Sequence, residues 1–201
     1  FTGPPGTGKT MSASILANAL GLRLYRVDLS RVVDKYIGES EKRLRSIFDV
    51  ANRWPCVLLF DEADALFAKR TSVKTSTDRY ANLEVNYLLQ KVEEFRGVLV
   101  LTTNFDKNID PAFKRRLRFQ VEFPFPDASQ RELLWERFVP SRHSARIDLR
   151  AIAQRYELAG GNIKTAALRA AFQAARKDRK IRQVDLEWAA DEEYSKIGRL
   201  A

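Results

Sequence analysis

Apolar residues follow two rhythms along this chain, short continuous runs and helical spacings, until about position 126, after which only the helical spacing remains. Lys9 to Leu20 carries Ile15, Leu16, Ala19 and Leu20 at helical spacing and stops at Gly21, a residue suited to end a helix. Leu22 to Leu29 reads as a strand, and Ser30 can cap a short turn. Ser40 can cap a helix whose apolar face is Leu44, Ile47, Phe48 and Ala51, ending before Pro55. Cys56 to Phe60 is a continuous apolar run, as expected of a parallel strand covered on both faces. Residues 71–78 form a polar loop, and Tyr80 to Phe95 a long helix with Leu88, Val92 and Phe95 in register. Val98 to Leu101 is another buried strand, closed by Thr102, Thr103 and Asn104, and Phe119 to Phe123 is a short strand.

Strands alternating with helices predict an α/β fold with a parallel sheet flanked by helices. Pro124, Pro126 and Asp127 then break the chain. Four helices are expected beyond them, at Ser129–Phe138, Leu149–Tyr156, Asn162–Arg176 and Val184–Ile197. The expected division is therefore an α/β subdomain over 1–126 and an all-helical lid over 127–201.

The chemistry begins with the octet Gly3-Pro4-Pro5-Gly6-Thr7-Gly8-Lys9-Thr10, which fits the GxxxxGK[ST] phosphate-binding loop at every fixed position. Glycines let backbone N–H groups turn onto phosphates, Lys9 supplies charge for the β- and γ-phosphates, and the Thr10 hydroxyl suits Mg²⁺. The helix opening at Lys9 adds the positive end of its dipole. Pro5, Gly6, Thr7, Gly8, Lys9, Thr10 and Met11 are thus the expected nucleotide contacts, and ATP with Mg²⁺ the expected ligand. Such a loop normally follows a buried strand, and only Phe1 and Thr2 precede it, so the first strand of this P-loop NTPase sheet is expected to be largely missing.

Val57-Leu58-Leu59-Phe60-Asp61-Glu62 delivers two carboxylates to the C-terminal edge of a strand, where ligands sit in open parallel sheets. Alone, such an acidic pair is as readily a helix N-terminal cap. Beside the octet it reads as Asp61 holding Mg²⁺, directly or through water, and Glu62 orienting the attacking water. Asp61-Glu62-Ala63-Asp64 also spells the tetrapeptide of a helicase class, but that class needs a second domain for which this chain has no room.

Composition adds little. A net charge of +9 permits an acidic partner, yet the basic residues are spread over most helices without a long block of like charge, which reads as a solvated surface. One cysteine, Cys56, excludes an internal disulfide and reads as a small buried apolar residue. No apolar run approaches the length of a bilayer span and no signal-peptide pattern is present, so a cytoplasmic location is expected.

Taken together, the octet, Leu59-Phe60-Asp61-Glu62-Ala63-Asp64 and Leu101-Thr102-Thr103-Asn104 resemble the Walker A, Walker B and sensor 1 segments of AAA+ ATPases of the classical clade, over essentially the whole chain. The resemblance implies that Asn104 lies beside the γ-phosphate and helps place the water. Ile109 to Phe119 resembles the second region of homology, which implies arginine fingers acting on a neighbouring subunit's nucleotide. Aligning back from Phe123-Pro124-Phe125-Pro126-Asp127 puts Arg116 at the main finger with Arg115 beside it, whereas aligning forward from Asp110-Pro111-Ala112 favours Arg118; the expectation taken is Arg115 and Arg116.

Lys35, Tyr36, Ile37 and Gly38 resemble pore loop 1 of that clade, whose aromatic residue grips a polypeptide in a hexamer's channel. The polar loop 71–78 would be a second pore loop. In the lid, Gly160-Gly161-Asn162 resembles the sensor 2 region without its Arg, with Lys164 nearby. Residues 78–90, Arg115 to Phe119 and 193–200 are similar to bacterial AAA+ proteins associated with contractile injection systems. These likenesses imply a hexameric, Mg²⁺-dependent ATPase that remodels or threads a protein partner rather than nucleic acid. A nucleic-acid remodeller or loader and a nucleotide-gated assembly scaffold are the two alternatives.

Overall fold

The run Cys56–Asp61 (β2) is the centre of a three-stranded parallel sheet in the order β1-β2-β3, with Arg23–Asp28 as β1 and Val98–Leu101 as β3. The structure, a computed structural model, describes residues 1–28, 39–64, 86–104 and 114–198. Leu29, Ser30, the segment Lys35 to Gly38, the loop 71–78, the first turns expected from Tyr80 and the stretch Ile109 to Phe113 lie outside them. The chain divides into two compact units, Phe1–Gly3 with Lys9–Phe123, and Pro4–Gly8 with Pro124–Ala201.

In the first unit every residue of β2 is buried, and its side chains alternate between two cores. Cys56, Leu58 and Phe60 face one cluster with Leu44, Phe48 and Ala51 of α2 (Glu39–Ala51) and Leu88 and Leu89 of α3 (residues 86–94). Phe48 packs edge-on against both Phe60 and Phe95. Val57 and Leu59 face the other way, with Val100, onto Ala13 and Ala17 of α1 (Lys9–Ala19). Each large side chain so buried is worth about 1.5–3 kcal/mol. Register aligns Val57 with Leu24 and Val98, and it sets Asp61 opposite Asp28 at the C-terminal edge.

Two expectations are corrected. The buried face of α1 is Lys9, Ala13 and Ala17, with Leu16 packed beside it, while Ile15 and Leu20 are 58% and 50% exposed. Small alanines let the helix lie close on the sheet, and the larger residues point away. Phe119 to Phe123 forms no regular strand: among the described residues its ladder pairing is a bridge to Thr2, whose N–H donates to the Val121 carbonyl and whose carbonyl accepts from Phe123. Thr2 bridges in parallel to Thr103 on its other side, so these residues extend the parallel pattern beyond β3.

The second unit is helical, with α4 (Ala128–Phe138), a 3-10 turn (Ser141–His143), α5 (Leu149–Arg155), α6 (Gly160–Ala175) and α7 (Gln183–Lys196). Asp127 caps α4 in a capping box with Gln130, and Asp148 accepts from Ala151 at the start of α5. Trp135, Tyr156, Ile163 and Leu186 fill its core, and alanines at 166, 167, 170, 174, 189 and 190 let α6 and α7 approach. A buried Arg131 donates to the carbonyls of Ala153 and Pro126, tying α4 to α5. The α/β fold of a P-loop NTPase, followed by a helical C-terminal region, is the observed architecture. Among the described residues no helix is long and apolar enough to cross a membrane.

Candidate functional site

Strand β2 ends on Asp61 because its apolar run ends there, and the polar residues that follow β3 stand beside it. Thr102 holds the two segments together at four points. Its N–H donates to the Phe60 carbonyl (3.0 Å) and its carbonyl accepts from Ala63 (2.8 Å). Its hydroxyl donates to Asp61 Oδ1 (2.5 Å) and accepts from the Glu62 N–H (3.0 Å). Glu62 sits at φ +54°, the left-handed region that a side chain rarely adopts, and this places it exposed beyond the strand end. Two residues further, Asp64 accepts from the Thr103 hydroxyl and from the Asn104 N–H, which fixes the start of the Asn104 turn.

Opposite these carboxylates, Lys9 opens α1 and is 8% exposed. Its ammonium donates to the Gly3 carbonyl (2.7 Å) and to Asn104 Oδ1 (2.9 Å). With Oδ1 engaged, Asn104 presents its Nδ2 amino group as a donor. Burial pulls the Lys9 ammonium below the ordinary lysine range, and the charges of Asp64, Asp61 and Glu62 pull it back. A polyanion meeting Lys9 would favour the charged form further. The Thr10 hydroxyl lies 3.1 Å from both Asp61 oxygens. A hydroxyl and a carboxylate on neighbouring elements are a hard oxygen pair of the kind Mg²⁺ takes alongside phosphate and water, so the donor set fits that ion.

Gly3 and Gly6 are two places where the octet needs glycine. Gly3 has φ +138°, and a Cβ there would fall 2.1 Å from the Phe123 carbonyl oxygen. In the second unit Gly6 has φ +76°, its carbonyl accepts from the Gly161 N–H (2.8 Å), and an added Cβ would stand 3.2 Å from that of Ala159. Thr7 closes a turn by donating to the Pro4 carbonyl (2.9 Å). Pro5 and Met11 are exposed, and Gly8 has φ +104°.

The structure thus brings together Lys9, Thr10, Asp61, Glu62 and Asn104 of the residues read from the sequence. Arg116 pairs through its guanidinium with Glu93 of α3, while Arg115 and Arg118 are exposed. Asn162 donates to Glu193 on α7, and Lys164 is exposed on α6. Lys35, Tyr36, Ile37 and Gly38 fall outside the described residues, so their expected role has no geometry here. Sequence reading missed Asp64, Thr102 as an organiser of the acidic pair, and Arg26. The Arg26 guanidinium, reaching from β1, lies 2.7 Å from Asp61 Oδ2.

Comparison with known proteins matches residues 1–127 to the family described as the ATPase family associated with various cellular activities (AAA). An uncharacterised AAA family ATPase of Sinorhizobium fredii is 40% identical over 131 residues, covering 64% of this chain and 39% of that protein. The proteasome-activating nucleotidase of Methanococcus maripaludis is 33% identical over 191 residues, 91% of this chain and 47% of that protein. The 26S proteasome subunit RPT4 of Saccharomyces cerevisiae is 34% identical over 186 residues, 88% of this chain and 43% of the relative. The chain spans less than half the length of these three relatives.

Proposed function

We propose that this chain, which belongs to the AAA family of ATPases, binds ATP with Mg²⁺, hydrolyses it to ADP and phosphate, and works as a hexamer that remodels or threads a protein partner. The observation that carries the reading is the joining of Lys9 to Asn104 and of Thr10 to Asp61 at one edge of the parallel sheet. Such an edge is where an open α/β sheet places its ligand.

Lys9 and the octet's backbone bind the phosphates, with Pro5 to Met11 along the nucleotide. Thr10 and Asp61 would hold Mg²⁺, which when bound draws charge from the phosphate oxygens. Glu62 orients and polarises the attacking water through its carboxylate, and Asn104 steadies that water or a γ-phosphate oxygen through Nδ2. Phosphoryl transfer asks for positioning and charge more than covalent chemistry, and these five side chains supply both. Arg115 and Arg116 serve a neighbouring subunit's nucleotide in this reading. Arg116 must then leave Glu93, an exposed pair worth at most about 1 kcal/mol.

The names of two relatives, a proteasome-activating nucleotidase and a proteasome subunit, support a polypeptide as the partner. Tyr36 is the residue assigned to grip it. A narrower setting, assembly or disassembly of a contractile injection particle in the cytoplasm, rests on the sequence likeness of residues 78–90, 115–119 and 193–200. The test pairs phosphate release with unfolding of a fluorescent protein that carries an unstructured tail. Tyr36→Ala should keep melting temperature and hydrolysis while losing unfolding, and Tyr36→Phe should keep all three. A large drop in melting temperature with Tyr36→Ala would return the ring to the core, at about 3–5 kcal/mol. Steeply salt-dependent DNA binding in its place would move the partner to nucleic acid.

A further inference from the structure

We infer that Arg26 is a tethered cation that competes with Mg²⁺ for Asp61 and so sets how strongly nucleotide binding depends on the metal. The inference rests on the ATPase reading and assigns a positioning role to a residue outside the phosphate loop and the acidic pair.

The argument starts from the lone pairs of Asp61. Oδ1 accepts from the Thr102 hydroxyl at 2.5 Å and lies 3.1 Å from the Thr10 hydroxyl. Oδ2 lies 3.1 Å from the same Thr10 hydroxyl and 2.7 Å from Arg26 Nη2. Three donors therefore crowd this carboxylate, and a divalent ion, or a water bound to it, gains the room and the negative charge it seeks when one of them yields. Thr102 is 1% exposed and its hydroxyl also accepts from the Glu62 N–H, so turning away would cost a second bond with no water to replace either. Thr10 can rotate its hydroxyl and offer the ion a lone pair, so it joins the metal rather than opposing it. Arg26 is 63% exposed on β1 while Asp61 is 8% exposed, so the guanidinium can swing into water with little loss. It is the donor that yields.

A purely structural role explains less. The strands β1 and β2 are already joined by a six-residue ladder from Arg23↔Cys56 to Asp28↔Asp61, and an ion pair with one exposed partner adds little to such a ladder. Two opposite effects on binding follow from competition. Without metal, Arg26 neutralises Asp61 and reduces its repulsion of phosphate. With metal, Arg26 must be displaced, so the half-saturating Mg²⁺ concentration is higher than it would be otherwise.

The experiment uses the full-length protein and a fluorescent, non-hydrolysable ATP analogue, titrated in EDTA and then with rising Mg²⁺. Arg26→Gln should weaken binding in EDTA and lower the half-saturating Mg²⁺ concentration, each by about threefold to tenfold, with the melting temperature unchanged. Arg26→Lys, which keeps a charge without the planar fork, should fall between. No shift in either titration, or weakening of both together, would overturn the inference. Should Arg26→Gln fail to fold, Arg26→Lys read in the same two titrations carries the test. Failure of the wild-type protein to bind the analogue at saturating Mg²⁺ would instead overturn the ATPase reading beneath it.

Discussion

Replacing Thr102 by Val keeps the side chain's shape and removes its oxygen, which isolates what that oxygen does. The two backbone bonds, to the Phe60 carbonyl and from the Ala63 N–H, survive the change. Two others go: the hydroxyl's bond to Asp61 at 2.5 Å and its acceptance of the Glu62 N–H at 3.0 Å. A buried hydrogen bond to a carboxylate contributes about 1.5–3 kcal/mol, and the Glu62 N–H, left with less to hold it, adds about 1 kcal/mol. Valine is at home in extended chain and introduces no offsetting strain. The expected loss is therefore about 2.5–4 kcal/mol, read from the urea midpoint at unchanged slope. Thr102→Ser should lose less than about 1.5 kcal/mol, since it gives up one methyl group and keeps the oxygen. Because Glu62 sits at φ +54° and is anchored through this hydroxyl, Thr102→Val should also lower phosphate release more than Thr102→Ser does. Equal stability and equal turnover of the two variants would refute the reasoning.

Asp185 in the second unit tests a different ion pair: it accepts two bonds from Arg179, at 2.5 and 2.7 Å, and one from the Arg182 N–H, and is 1% exposed. Arg179 holds its carboxyl below the ordinary carboxylate range. A depressed folded value means stability that is present above the ordinary aspartate value near 3.8 and is lost as pH falls from there through the folded value. Asp185→Asn should therefore lose about 3–5 kcal/mol at pH 7 in urea titrations, with the gap to wild type narrowing below about pH 4. Gly3→Ala should fold poorly or lose nucleotide binding, because its Cβ would meet the Phe123 carbonyl oxygen at 2.1 Å; a stable variant that binds ATP normally would show that the turn can shift. Arg116→Ala should bind nucleotide normally and hydrolyse about 10³-fold more slowly. Mixing it with Glu62→Gln subunits should restore some phosphate release, and no recovery in demonstrably mixed oligomers would count against action between subunits.

The described sheet of the first unit was legible because β2 is apolar at five consecutive positions, ends on Asp61 and is followed by Glu62, a pattern that local sequence carries whole. The octet was legible for the same reason. The face of α1 was not: hydrophobicity points to Ile15 and Leu20, yet close packing on the sheet selects Ala13 and Ala17, a choice made by distance rather than by polarity. Phe119 to Phe123 has a strand's composition, but among the described residues its ladder pairing is a single bridge to Thr2. The partnerships of Arg26 with Asp61, and of Asp64 with Thr103 and Asn104, depend on strand register between residues 35 or more positions apart. Nothing in either local segment announces them.

Glu62→Gln is the most direct measurement of the central claim, that one carboxylate beyond β2 turns an ATP-binding site into a hydrolytic one. Binding of an ATP analogue and release of phosphate should be measured on the same preparation. The substitution keeps size and leaves Lys9, Thr10, Asp61 and the octet untouched, so binding should stay within about twofold while phosphate release falls by on the order of a hundredfold or more. Wild-type turnover in Glu62→Gln, or equal loss of binding and turnover, would contradict the account.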